Sequence, residues 1–347
     1  MAYTTIDDPS AHFHTQLYTG TGSELSITNN ANPGDFKPDW IWIKQRNAVT
    51  DHGVFDSSRG VTKNLKTNTT DAESTEAQSV KTFNTDGFTL GTSGDYNGSS
   101  DTHVAWQWKA NGGTTSSNGD GSTTSTVQAN TTAGFSIVLL ATGSAGSKTY
   151  GHGLGVAPEF IIIIDRTAGE SRMVYHKGVA NSDQHDKNLQ LENTGAVDTT
   201  TDGWGTAVPT STVFGVNSSQ LLETDQDCIA YCFTSIQGYS KFGSYIGNGN
   251  ADGPFVYTGF KVGWLLIKNA DDGTKYWHLW DNKRNTFNPS GLALYPNAND
   301  YEDAGIDMDF LSNGFKPRAS SAGNIGNINK DTDKYIYVAF AHQPFVT

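Results

Sequence analysis

A strand-like motif occurs three times in the chain, and the segments around it keep the same order each time. The three copies read FKPDWIWIKQR at 36–46, VAPEFIIIIDR at 156–166 and FKVGWLLIKN at 260–269. A second shared segment closes each copy and reads HVAWQW, CIAYCF and YIYVAFA in turn. We align these closing segments at Ala105, Ala230 and Ala339. Such internal periodicity indicates three homologous units.

Within each unit the apolar residues favour strands over helices. The motif cores are short, bulky and rich in β-branched residues, and turn-forming pairs such as Asp86-Gly87 follow them. Of 347 residues, 38 are Gly and only 17% are charged, which argues against a helical bundle. We therefore predict an all-β fold of three tandem homologous β-sandwich domains of jelly-roll or lectin-like type. One or two helical turns are expected at 70–78.

The predicted domain boundaries follow from where the shared segments begin and end. Residues 16–110, 130–238 and 239–347 are assigned to β-sandwich repeats 1, 2 and 3. Residues 111–129 are rich in Gly, Ser and Thr, and are predicted to be a flexible or extended linker. Residues 1–15 lie outside the repeat, so we predict that they are an N-terminal anchoring segment.

Charge and hydropathy restrict the partners. The chain has 23 Lys and Arg against 36 Asp and Glu, a net charge of −13, which disfavours binding to a phosphate backbone. No apolar run reaches the ~18–20 residues of a membrane helix, so we expect no membrane insertion. The first residues carry neither the basic nor the apolar region of a signal peptide, and we expect synthesis in a cytoplasm.

Several segments resemble a domain family of unassigned function that is repeated in virion structural and tail-fibre-like proteins of marine bacteriophages, such as cyanophages and pelagiphages. The matching segments are MAYTTIDDPS at 1–10, PDWIWIK at 38–44, LGVAPEF at 154–160, YSKFGSYIGNG at 239–249 and DFLSNGFK at 309–316. The resemblance implies a phage structural protein with lectin-like β-sandwich modules. It implies no catalytic residue.

One polar position recurs at the end of the same predicted strand in each unit. Asp56, His176 and Asp281 occupy it, and Arg59 and Arg284 follow the two Asp residues at the third position. A sugar or metal site is one interpretation of these residues. An Asp–Arg pair that braces the turn after the strand is the favoured one, because such pairs are common at protein surfaces.

Aromatic residues at alternate positions raise the same choice between core and binding site. Trp40, Trp42, Trp106 and Trp108 lie in pairs on one face of their strands, and we expect them to form core. The densest cluster of aromatic and polar residues gives the candidate ligand-binding residues, which are Tyr276, Trp277, His278, Trp280 and Asp281. A glycan site is expected there if one exists.

No catalytic, cofactor or metal site is predicted. The carboxylate-rich stretch at 302–309 lacks the spacing of a calcium loop and is expected to be a solvated loop, and not part of a glycosidase. We expect a non-enzymatic bacteriophage virion structural protein, exposed on the tail (fibre or host-adsorption apparatus) or on the capsid surface. A capsid-decorating protein and a glycan-binding adhesin are the alternatives, and a polysaccharide-degrading enzyme is the least favoured. The expected partners are other virion proteins, further copies of the chain and a host surface glycan, with synthesis in the host cytoplasm.

Overall fold

The computed structural model describes residues 4–29, 36–179, 186–199, 203–218, 222–318 and 327–343. The chain is nearly all β, with several antiparallel sheets, which confirms the predicted fold class at this level. Short helical turns lie at Pro9–Ala11 (a 3₁₀ turn) and Gly94–Asn97 (α1). We call the strands before residue 110 the first unit, those from there to 238 the second, and the remainder the third.

The first unit has a six-stranded sheet in the order β1-β9-β3-β4-β5-β6 and a three-stranded sheet in the order β2-β8-β7. Its strands are β1 Phe13–Thr19, β2 Leu25–Ile27, β3 Trp40–Gln45, β4 Gly53–Asp56, β5 Lys63–Lys66, β6 Ser74–Thr75, β7 Val80–Phe83, β8 Phe88–Leu90 and β9 Thr102–Trp108.

The second unit has a seven-stranded sheet in the order β10-β11-β12-β18-β14-β15-β16 and the pair β13-β17. Its strands are β10 Ser116–Asn118, β11 Ser125–Asn130, β12 Phe135–Ala141, β13 Gly146–Gly151, β14 Phe160–Asp165, β15 Met173–His176, β16 Leu189–Gln190, β17 Val213–Ser218 and β18 Asp227–Phe233.

The third unit has two four-stranded sheets, ordered β19-β26-β21-β22 and β20-β25-β24-β23. Its strands are β19 Ser240–Ile246, β20 Val256–Tyr257, β21 Lys261–Asn269, β22 Trp277–Asp281, β23 Ser290–Ala293, β24 Asp303–Leu311, β25 Gly314–Pro317 and β26 Lys334–Gln343.

The same four-strand order occurs in the three large sheets. It is β1-β9-β3-β4 in the first, β12-β18-β14-β15 in the second and β19-β26-β21-β22 in the third. In each sheet the recurring motif forms a central strand that pairs with the closing segment. The motif strands are therefore buried on both faces. This explains why their residues form a continuous apolar run, and do not alternate between apolar and polar.

The two faces of each large sheet pack against different neighbours. In the first unit Ile41 and Ile43 point into a core shared with that unit's small sheet. Trp40 and Trp42 point into a central core to which all three units contribute. The other units have the same arrangement, with one private core each. The three large sheets thus cover one another's second faces.

Three aromatic rings meet where the closing strands converge. The ring centroids of Trp108, Phe233 and Phe340 lie 6.4, 5.9 and 5.6 Å apart in pairs, one residue coming from each unit. Burying such a side chain contributes about 1.5–3 kcal/mol. The prediction that Trp40, Trp42, Trp106 and Trp108 are core residues is confirmed, since all four are buried.

The alignment of Ala339 with Ala105 and Ala230 is wrong by two residues. Trp264 pairs with Phe340, whereas the equivalent Phe160 pairs with Phe233. Tyr337 therefore takes the place of the two alanines. The pairing is regular from Trp264 to Asn269, so the error comes from matching the alanines and not from a bulge in this part of the strand.

The predicted boundary after residue 15 falls inside strand β1. Residues Phe13–Thr15 belong to β1, which pairs with β9 along its whole length. Phe13 and Ile6 are buried in the central core. The described part of the predicted anchoring segment, residues 4–15, is therefore packed into the folded body.

The predicted linker at 111–129 is ordered by two buried side chains. Asp39 Oδ2 accepts hydrogen bonds from the backbone N–H groups of Ala110 and Gly112, both at 2.8 Å. Gln128 Oε1 accepts from the N–H of Gly113 at 2.7 Å. Its amide nitrogen donates to Ser57 in the first unit at 3.0 Å. Part of the tract is extended, since it contains β10 and most of β11. It packs between the first and second units and is not a flexible linker.

Two further local predictions are wrong. The expected helical turns at 70–78 are replaced by the short strand β6, and the expected solvated loop at 302–309 is largely strand β24. β6 is the edge strand of its sheet, whereas β24 lies between β25 and β23 and is buried only at alternate residues, so that one of its faces is polar. A glutamate from each segment has a further role at the contacts between units.

Candidate functional site

The five residues predicted to bind a ligand do not form an open platform. Trp277, His278, Trp280 and Asp281 are at most 1% exposed, and only Tyr276, at 42%, reaches solvent. The indole nitrogen of Trp280 donates to the carbonyl oxygen of Ile306 at 3.1 Å. A sugar cannot stack on rings that are covered on both faces, so this prediction is corrected.

Asp281 instead connects the third unit to the first. Its Oδ1 accepts from the N–H groups of Lys283 and Arg284 at 3.0 and 2.9 Å, and its Oδ2 accepts from Arg284 Nε at 2.6 Å. The favoured interpretation, a pair that braces the turn, is confirmed by these contacts. Oδ2 also accepts from Trp106 Nε1 at 3.0 Å, a contact between units that sequence reasoning missed.

Asp56 makes the same set of contacts between the first and second units. Its Oδ1 accepts from the N–H groups of Ser58 and Arg59 at 3.0 and 2.8 Å, and its Oδ2 pairs with Arg59 Nε. Tyr231 donates its hydroxyl hydrogen to Oδ2 at 2.9 Å. Tyr231 holds the position that Trp106 holds in the first unit, as the strand registers show.

A glutamate extends each of these two polar clusters. Glu73 accepts from Arg59 at 3.2 Å and from Arg166 of the second unit at 2.8 Å. Glu302 accepts from Arg284 at 3.2 Å and from Arg46 of the first unit at 2.7 Å. Arg46 and Arg166 both end the recurring motif, so the sequence held a signal for these residues in their shared position.

The contact between the second and third units replaces this polar cluster with apolar residues. His176 stands in place of Asp, Val179 in place of Arg, and Val338 in place of Tyr or Trp. Val197 and Ala270 stand in place of the Glu–Arg pair. All four apolar residues pack in or against the central core.

Backbone hydrogen bonds establish that these positions are equivalent. The N–H of Glu73 donates to the carbonyl oxygen of Arg166 at 3.0 Å, and that of Glu302 donates to Arg46 at 2.9 Å. The N–H of Val197 donates to the carbonyl oxygen of Ala270 at 2.9 Å. The backbones thus meet in the same way at all three contacts, and only the side chains differ.

His176 is adapted to an apolar neighbour that offers no donor. The N–H of Gly178 donates to Nδ1 at 2.9 Å, so Nδ1 carries no proton and Nε2 does. Nε2 then donates to the carbonyl oxygen of Tyr337 in the third unit at 3.0 Å. Burial lowers the pKa of His176 to about 3, and the ring stays neutral. The imidazole therefore accepts a hydrogen bond from the turn that follows its own strand, as Asp56 and Asp281 do. It also donates a hydrogen bond to the third unit.

The three contacts close a cycle. The first unit presents Asp56 to the second, the second presents His176 to the third, and the third presents Asp281 to the first. Each contact is head-to-tail, and a head-to-tail contact that returns to its start gives a closed ring. The chain therefore forms the equivalent of a three-membered ring within one polypeptide.

The electrostatics of the polar contacts favour ion pairs. Burial alone would raise the pKa of Glu73, but the hydrogen bond from Arg166 and the charge of Arg59 outweigh it and hold that pKa below its usual value. Within the described residues no group of three or more His, Cys, Asp or Glu is placed to hold a metal. In the same part of the chain no helix is both long and apolar enough to cross a bilayer.

Comparison with known proteins places the chain in a family. The profile of a family described as a domain of unknown function, DUF7483, matches residues 8–344. The chain belongs to this family, and one match covers all three units. No curated protein and no solved structure matches it.

Proposed function

We propose that this chain is a non-enzymatic bacteriophage virion structural protein, exposed on the tail (fibre or host-adsorption apparatus) or on the capsid surface, and built from three tandem homologous β-sandwich domains. The observation that carries the proposal is the closed cycle of contacts around one core. The recurring strand order and the shared backbone contacts support the tandem-repeat part.

A closed ring of three similar units suits a structural role for a physical reason. Its core is continuous, so no unit moves independently, and the outer faces are held in fixed relative positions. Such a block can make repeated weak contacts to other virion proteins or to further copies of the chain, and those contacts add up through avidity. Its negative charge is suited to protein partners and not to nucleic acid.

The test is to locate the protein in intact particles. Purified virions are labelled with an antibody against an exposed surface and viewed by electron microscopy. The proposal expects label on the tail or on the capsid of most particles. Protein found only in the infected-cell lysate, and absent from washed particles, would overturn it.

Two alternatives have their own test. A capsid-decorating protein would appear at regular capsid positions in the same images. A polysaccharide-degrading enzyme would release reducing ends from host envelope glycans, and we expect none. The glycan-binding alternative is favoured by a specific pocket in the third unit.

A further inference from the structure

A small pocket opens beside the turn that follows β22. Its volume is about 290 Å³, just below the ~300–1,000 Å³ typical of ligand sites. Its lining is cationic and rich in amides, with Lys261, Asn282, Lys283, Asn285, Phe287 and His342 among the lining residues. No carboxylate lines it among the described residues, although the chain carries a net charge of −13.

The two lysines have no acidic partner. Neither Lys261 nor Lys283 forms an ion pair with any residue in the described part of the chain, and both are exposed. The pKa of His342 is lowered to about 4, mainly by burial and to a smaller extent by the positive charges of these two lysines. The imidazole is therefore neutral at pH 7 and can exchange hydrogen bonds with a ligand beside two free ammonium groups.

The other two units carry a carboxylate where the third unit has Gly263, which contacts the pocket residues Asn282 and His342. The N–H of Ser57 donates to the carbonyl oxygen of Asp39, and the N–H of Lys177 to that of Glu159, both at 2.8 Å. The equivalent bond of the third unit joins Asn282 to Gly263 at 3.0 Å. A Cβ on Gly263 would lie 2.7 Å from the backbone of His342, so no side chain fits there.

An aromatic ring stands at the mouth of the pocket. Phe287 is 81% exposed, the most exposed large apolar side chain among the described residues. Its loop is fixed from below, because the amide of Asn288 exchanges two hydrogen bonds of 2.9 Å with the backbone of Phe310. The backbone next to Phe287 is therefore tied to strand β24. The side-chain amide of Asn282 has no hydrogen-bond partner within the described residues and is free to meet a ligand.

We propose that this pocket binds an acidic sugar unit, a pyranose that carries a carboxylate or a sulfate. Lys261 and Lys283 bind the anionic group, Asn282 and His342 hydrogen-bond to ring hydroxyls, and Phe287 stacks on the apolar face of the ring. This goes beyond the structural role proposed above. It also gives the glycan-binding alternative a place and a ligand class, different from the cluster at 276–281.

The test is calorimetry on the purified full chain with four probes. These are an oligogalacturonate, a carrageenan oligosaccharide, maltohexaose and inorganic sulfate. We expect binding of the carboxylated or the sulfated oligosaccharide, and whichever binds identifies the anionic group. Maltohexaose and sulfate are expected to bind at least tenfold more weakly. Equal binding of maltohexaose, equal binding of sulfate, or no binding of either acidic oligosaccharide would overturn the proposal.

Variants then locate the site. Lys261→Ala with Lys283→Ala, and separately Phe287→Ala, should each weaken binding about tenfold or more, which is about 1.4 kcal/mol. The matched controls are Lys81→Ala and Tyr301→Ala, which remove a lysine and an exposed aromatic ring elsewhere. Circular dichroism checks that each variant is folded. Unchanged affinity in the pocket variants would overturn the proposed site. The test uses no particles, so its failure is distinguishable from failure of the virion role.

Discussion

Tyr231 of the second unit donates its hydroxyl hydrogen to Asp56 of the first, across 2.9 Å, at a site where both side chains are buried. Trp106 of the first unit makes the matching bond to Asp281 of the third. At the remaining contact Val338 occupies the position of the donor and His176 that of the acceptor, and His176 Nε2 instead donates to the carbonyl oxygen of Tyr337 at 3.0 Å. The residues at the donor and acceptor positions therefore differ together between the three contacts. A buried carboxylate that lacks its hydrogen-bond donor lowers the stability of the fold.

Removing the donor at the first contact should destabilise the protein. Tyr231→Phe leaves Asp56 paired with Arg59 but takes away one bond to a charged acceptor, and we expect a loss of about 1.5–3 kcal/mol in the free energy of unfolding. Urea denaturation measures it. Tyr257→Phe is the matched control, since that side chain is about half exposed. A loss no greater than in the control would contradict the assignment.

The glutamate–arginine pair should show strong coupling in a double-mutant cycle. Glu73→Val and Arg166→Ala reproduce the residues of the apolar contact, Val197 and Ala270. Glu73→Val removes the carboxylate that pairs with Arg166, and Arg166→Ala leaves Glu73 paired with Arg59 but without its second arginine, whereas the double change gives an apolar pair. We expect the double variant to be at least about 1 kcal/mol more stable than the sum of the single effects predicts. Additive losses would show that the pair is not coupled.

The tautomer of His176 can be observed directly. With Nε2 protonated and burial lowering its pKa to about 3, long-range ¹⁵N spectra should show a neutral ring from pH 7 down to about pH 4. His176→Asp should destabilise more than His176→Asn, because Val338 offers a carboxylate no donor. Titration of His176 near pH 6.5, or equal losses in both variants, would contradict the arrangement.

The buried histidines should make the protein sensitive to acid. Burial lowers the pKa values of His176 and His278 to about 3, whereas both return to about 6.5 in the unfolded chain. Their stabilising effect is complete above pH 6.5 and is lost as the pH falls from there towards 3. Each should lower the free energy of unfolding by about 1.4 kcal/mol per pH unit in that window.

Urea midpoints at pH 7.5, 6.0 and 5.0 measure this effect. The slope of stability against pH should be shallower in His176→Asn, which has one titrating group fewer. Midpoints that stay constant or rise towards pH 5 would be incompatible with neutral, buried imidazoles.

The private cores of the units could be predicted from sequence, but the shared core could not. The motif around Trp40 predicts a strand that is buried on both faces. It does not indicate which elements cover the face that carries Trp40 and Trp42. The covering surfaces are the other two large sheets, which lie far away in sequence. The composition of residues 111–129 predicts a flexible or extended linker, but hydrogen bonds to Asp39 and Gln128 order this polar tract. Asp39 is far from the tract in sequence, so composition could not indicate this contact.

The candidate residues divide in the same way. The shared position of Asp56, His176 and Asp281 was visible as a pattern, and so was the bracing of the turn. Their partners in the next unit were not visible, because the two-residue shift at Ala339 hid the equivalence of Val338 with Tyr231. The pocket near Phe287 has no sequence signal, since its lysines are separated along the chain.

The three units close into one ring around a common core. A protease site inserted at Gly119, in the turn between β10 and β11 where a side chain would meet no neighbour, allows the folded protein to be cut into the first unit with β10 attached and the remainder of the chain. The two fragments should then elute together at the size of the intact chain and separate only in denaturant, because the first unit contacts both others. Separation of the fragments under native conditions would contradict a closed ring with one common core.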